Sequence, residues 1–116
     1  MKENKFENIK TQIKMDMNNV IRTEEQRLNY LNEELGTNYQ SLDKVYWRTI
    51  SACKTLSEDF IREFKDKVYW GIVCQFQHLS EDFIREFQDR VDWKVISFKK
   101  RLSEDFIKEF ADRFNE

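Results

Sequence analysis

The sequence predicts an all-α protein: an amphipathic N-terminal helix or helix pair, then a small stack of 23-residue two-helix repeats. One observation is the stretch LSEDFIREF, at residues 56–64 and again, letter for letter, at 79–87, with LSEDFIKEF at 102–110. A second is Trp47, Trp70 and Trp93, which recur at the same step. A fixed period of this kind marks a stacked-repeat protein, and this period leaves room for only two short helices per unit. The third is composition. Proline is absent and there are only two glycines beside 36% charged residues, so the usual helix breakers are missing.

Residues 1–36 come first. Phe6, Ile9, Ile13, Met17 and Val20 are spaced for one apolar helix face, and Leu28, Leu31 and Leu35 continue at helical spacing. TEEQ at 23–26 reads as a capping box, so the helix breaks near Thr23. ELG at 34–36 reads as a helix end, with Gly36 in the left-handed position. The region fits a cap over the open end of the stack, or a helix that forms a homodimer. Glu24 and Arg27 near the seam argue against a long coiled coil.

Residues 37–116 divide into units near 37–55, 56–78, 79–101 and 102–116. The first unit is degenerate; its first helix is expected on NYQSLDK, capped by Thr37 or Asn38. In the others Ser57, Ser80 and Ser103 are N-caps, each followed by two acids where a helix start favours negative charge. Leu56 and Ile61 are placed as a hydrophobic staple, and Phe60, Ile61, Phe64 and Val68 make one apolar face. The second helices align as WRTISACKT, WGIVCQFQH and WKVISFKKR. Asp92 caps the last of these; Tyr69 stands in its place one unit earlier. Ser51, Cys74 and Ser97 form a row of small residues that lets neighbouring helices approach closely. The last unit holds a first helix alone, as a terminal capping helix would.

Charge narrows the function classes. The net charge is −2, from 20 basic and 22 acidic residues whose signs alternate along the chain. Such a surface has no long-range field of one sign, which makes nucleic acid and anionic membranes poor partners. No apolar run is long enough to span a membrane, and the start MKENKFENIK is too polar for a secretory signal. Cys53 and Cys74 are therefore expected as reduced thiols in a cytoplasm.

Chemistry-bearing constellations are few. The acid pairs Glu58/Asp59, Glu81/Asp82 and Glu104/Asp105 point about 100° apart on a helix and do not converge on one substrate atom. Cys74 and His78 are four residues apart, the spacing of a dyad, yet Cys74 belongs to the packing row. Two cysteines and one histidine fall short of a structural zinc site. There is no glycine-rich phosphate loop and no nucleophile elbow. The reading is a non-enzymatic protein without cofactor or metal.

What varies between repeats is then the informative part. The first helices are nearly identical, whereas the second helices differ at their outer positions. In stacked repeats, variation over a common frame is where specificity is placed. The candidate protein-binding residues are Tyr46, Arg48, Tyr69, Phe76, His78, Lys94, Phe98, Lys99, Lys100 and Arg101. Phe76 and Phe98 fit either a binding surface or the core between repeats. Lys99–Arg101, the one local basic cluster, fits a helix end or a phosphate patch.

The pattern LSEDFIREFxDxVDWxxIS, over residues 45–116, resembles short tandem repeats in proteins of phages and large DNA viruses. No functional residues carry over from that resemblance. It implies a small viral or phage protein that acts by occupying another macromolecule in a bacterial host. The concrete form is an inhibitor of a bacterial defence nuclease complex, in the manner of an anti-CRISPR protein. Alternatives are a nucleic-acid-associated protein using the basic patch, or a purely structural oligomerisation module.

Overall fold

A computed structural model describes residues 22–99 and 101–114, whose regular structure is entirely helical. Helix α1 spans Glu24–Leu35, and a 3-10 turn covers Leu42–Lys44. Then come α2 (Trp47–Cys53), α3 (Glu58–Glu63), α4 (Trp70–Phe76) and α5 (Glu81–Glu86). Helices α6 (Trp93–Lys99), α7 (Glu104–Glu109) and α8 (Ala111–Phe114) complete the chain. The expected apolar face at Phe6–Val20 lies outside the described residues. Helices α2, α4 and α6 lie side by side, each packed on the next. They are the second helices of successive units, and α3, α5 and α7 are the first helices.

The caps follow the sequence closely. Thr23 and Gln26 form the reciprocal capping box, with N···O distances of 2.9 and 3.2 Å. Gly36 ends α1 at φ 64°, the left-handed region where a side chain would be strained. Ser57, Ser80 and Ser103 accept from the N–H of Phe60, Phe83 and Phe106 at 3.0, 3.1 and 3.2 Å. Asp92 caps α6 by accepting from Val95 N–H at 3.2 Å, whereas Tyr69 offers α4 no side-chain cap.

One expected helix is absent. The segment NYQSLDK holds only the 3-10 turn Leu42–Lys44. Thr37 caps nothing; its hydroxyl donates to Asn32 Oδ1 at 2.9 Å, and Asn32 also grips Tyr39 through its N–H and carbonyl. The first unit therefore lacks a first helix of its own. Helix α1 packs on α3 instead. Arg22 and Arg27 reach from α1's start and first turns to Glu63 and Asp66.

The core is a column of repeated aromatics. Trp47 lies 5.1 Å from Phe64, Trp70 5.1 Å from Phe87, and Trp93 4.9 Å from Phe110, ring centre to ring centre. Each tryptophan thus packs on the unit after its own. Each indole N–H also donates to a carbonyl five residues earlier, at Leu42, Lys65 and Gln88. Phe60, Ile61, Phe83, Ile84 and Phe106 are essentially fully buried between these layers.

Backbone ends are satisfied across unit boundaries. Ser51 Oγ accepts from Tyr69 N–H at 3.2 Å, and Cys74 Sγ from Asp92 N–H at 3.4 Å. The row of small residues therefore does more than permit close approach: it meets the start of the next second helix. Glu58 accepts from both the N–H and the hydroxyl of Ser80, and Glu81 does the same for Ser103, at 2.6 to 3.1 Å. Gln77, buried, donates to Ser51 and Lys54 carbonyls at 2.8 and 2.7 Å and accepts from Leu56 N–H at 2.9 Å. It closes the end of α2 from the following unit.

Guanidinium groups link the first helices. Arg62 grips Glu86 with two bonds of 2.8 Å, and Arg85 meets Glu109 at 2.9 Å, each also pairing with the aspartate one turn back. The same groups lie over the Phe83 and Phe106 rings, at 5.5 and 5.2 Å from the ring centres. Glu63 receives Arg22 and Arg27 where the later glutamates receive Arg62 and Arg85. Arg27 Nε lies 3.2 Å from Glu63 Oε2 but off the hydrogen-bond direction, so that contact is Coulombic rather than directional.

Two outcomes test this wiring. Gln77→Ala leaves two buried backbone groups and one part-buried carbonyl without this partner and should lower stability by about 2–3 kcal/mol in urea denaturation. The second concerns pH. The hydrogen bond from Arg62 holds the Glu86 carboxyl below its ordinary range, and the Ser103 N–H and hydroxyl do so for Glu81. A carboxyl depressed by folding adds stability that is full above its unfolded value, about 4.3 for glutamate, and is lost as pH falls through the folded value. Arg62→Gln should therefore cost about 0.5–1 kcal/mol near neutrality, the pair being partly exposed, and the gap to wild type should close in acid.

Candidate interaction surface

The first helices read EDFIRE, EDFIRE and EDFIKE. The second helices read WRTISAC, WGIVCQF and WKVISFK, with no acid in any of the three. The two sets of helices therefore carry different electrostatics. Most charges on α3 and α5 are absorbed in the Arg–Glu and Glu–Ser links. Cations on the second helices, Arg48 and Lys94, are exposed and form no ion pair among the described residues.

Position in the helix decides what each candidate residue does. Tyr46 and Tyr69 occupy the same register, immediately before the tryptophans that open α2 and α4. Those tryptophans turn inward, and the tyrosines turn out: Tyr46 is 72% exposed and Tyr69 48%. Arg48 and Lys94 lie in the first turn of α2 and α6. At the other end Phe76 closes α4 and Phe98 is the penultimate residue of α6; Phe98 is 82% exposed. Both phenylalanines are outside the core, so the packing role open to them from sequence is not the one they have. His78 and Arg101 are exposed in the links after α4 and α6. Lys99 is the last residue of α6, and Lys100 lies outside the described residues.

The described exposed residues thus fall at the two ends of the second helices. Tyrosines with Arg48 and Lys94 mark the starts, and phenylalanines, with His78 and Arg101 in the links beyond them, mark the finishes. Ile72 and Val95, a turn into α4 and α6, are half-buried between them. Aromatic rings beside guanidinium or ammonium groups are the residue types that anchor protein interfaces.

One residue that matters to this surface was not singled out by sequence. Gln77 fixes the chain between Phe76 and His78 by its three side-chain bonds, and its only sequence signal is that it replaces the lysine found at Lys54 and Lys100. Gly71 faces the Asp92 carboxylate, and a Cβ there would lie 3.8 Å from it, so this position has room for a larger residue.

The other constellations take structural roles. Cys74 is buried in the seam, bonded to Asp92 N–H, while Cys53 and His78 are exposed. Among the described residues no group of three His, Cys, Asp or Glu side chains is arranged to hold a metal ion. No helix among them is long and apolar enough to cross a membrane. Set against known proteins, the chain matches no family model, no curated protein and no solved structure.

Thiol reactivity reads the seam directly. Ellman's reagent should titrate Cys53 in the native protein and reach Cys74 only in denaturant. Rapid native labelling of both would mean that the α4–α6 seam opens.

Proposed function

We propose that the protein is a non-enzymatic binding module that holds another protein against the outer face of α2, α4 and α6. The observation that carries this reading is the difference in charge: the second helices contain no acid and expose Tyr46, Tyr69, Phe98, Arg48 and Lys94, and the Asp92 carboxylate beside them is engaged in capping α6. A face of rings and cations suits a protein surface that is apolar at its centre and acidic at its rim. The repeat resemblance points to an origin in a phage or other mobile element. A concrete form of the module is an inhibitor that occupies a bacterial defence complex, as anti-CRISPR proteins do, in the host cytoplasm.

A second reading has its own support. Lys99 at the end of α6 and Arg101 in the link after it, with Lys94 in the first turn of the same helix, would also suit a phosphate backbone. The face is narrow in charge for that role, and the tyrosines at the opposite end would be idle.

The test is affinity capture from bacterial host extract, comparing wild type with Phe98→Ala and with Lys94→Glu/Lys99→Glu. Loss of an interface anchor typically costs at least about 2 kcal/mol, roughly thirtyfold in affinity. Both variants should lose the captured partner while circular dichroism is unchanged, because exposed substitutions alter stability by only about 0.5 kcal/mol. Retention of the partner by both would place binding elsewhere. Binding to single- or double-stranded nucleic acid at low salt, abolished by the double charge reversal, would favour the second reading.

A further inference from the structure

The contacts that join one unit to the next are repeated, and the last unit displays their unmatched halves. Glu58 and Glu81 each accept two bonds from the next capping serine. Arg62 and Arg85 each pair with the next unit's glutamate. Ile61 and Ile84 are 0% exposed beneath that neighbour, whereas Ile107, in the same register, is 45% exposed. Glu104 and Lys108 hold the register of the reaching acid and the reaching cation, both are exposed, and neither has an ion-pair partner among the described residues. Ser97, in the register of the buried Ser51 and Cys74, is exposed as well. The forward edge of α7 is thus an uncovered copy of a packing face.

We infer that this edge is a self-association surface, on which α7 pairs antiparallel with α7 of a second copy about a two-fold axis. The argument is charge symmetry. Glu104 and Lys108 are four residues apart, so they share one strip of the helix, with Ile107 beside them. A two-fold axis across that strip sets Glu104 of each copy against Lys108 of the other and lays the two Ile107 side chains together. An isologous contact demands a self-complementary patch of this kind. Continuing the stack head to tail would need the back edge of α3 in the second copy, and there α1 is already clamped to Glu63 and Asp66 by Arg22 and Arg27. The contact is small, below the roughly 1,200 Å² of a standard interface, so the dimer is weak and forms at high concentration. It uses none of the residues proposed for partner binding.

Sedimentation equilibrium of the full chain tests this, with circular dichroism to confirm that each variant is folded. Wild type should shift from monomer toward dimer mass as concentration rises toward millimolar. Glu104→Lys and Lys108→Glu should each weaken the dimer at least tenfold by setting like charges together. Combining Glu104→Lys with Lys108→Glu should restore it, because the swapped charges still match across the axis. A protein monomeric at every concentration would overturn the inference. So would a dimer indifferent to all three variants, which would point to another surface such as the N-terminal region. Failure of the double swap to rescue, with Ile107→Asp still abolishing association, would mean that the edge accepts a differently arranged neighbour, and would also overturn it.

Discussion

A helix of six or seven residues leaves nearly all its end groups without partners of its own: four N–H groups and four carbonyls lack intrahelical bonds. Such helices are not stable alone in water. The fold answers this by assigning the missing bonds to adjacent units. Glu58 and Glu81 complete the serine caps of α5 and α7. Ser51 and Cys74 meet the first amides of the helices that follow theirs, and Gln77 closes α2 from behind. Burial of the Trp–Phe column supplies the apolar free energy, and these polar links fix the register at which it is buried. Deleting a unit's neighbour would leave both deficits at once.

Much of this was legible in the residues. The 23-residue step, the serine caps, the capping box at Thr23, the left-handed Gly36 and the apolar face at Phe60, Ile61, Phe64 and Val68 all have local causes, and local causes can be read from a linear string. Asp92 as a cap belongs with them. The replacement of a first helix in residues 37–44 by α1 was not legible, because it depends on Arg22 and Arg27 reaching residues some 40 positions away. The acid pairs were read as helix-start electrostatics, which is sound, but their second task is a contact between units that no single unit reveals. Phe76 and Phe98 had two readings from sequence, since a phenylalanine at helical spacing fits a core or a surface equally; only the packing of α4 and α6 places them outside.

The division of labour between the two kinds of helix connects fold to function. On the first helices, substituting a charge breaks a link to a neighbour, so the same residues recur copy after copy. On the second helices the outward positions touch no neighbouring unit through a charge, so Arg48, Gly71 and Lys94 can occupy one register without altering the frame. Rigidity on one side and latitude on the other is the arrangement that a recognition module requires.

Because the repeated links among the described residues run from each unit to the next, the length of the column is not fixed by closure, as it would be in a barrel or a propeller. An in-frame gene duplication of one block would insert a complete set of donors and acceptors and disturb none already made. Identity at solvent-facing positions of the nine-residue stretch, where burial exerts no restraint, is the pattern such a duplication would leave. Freshly copied blocks are interchangeable at birth, and Glu and Arg are held afterwards because each answers to a residue in the adjoining block, whereas Asp59 and Asp82 answer to the arginine of their own.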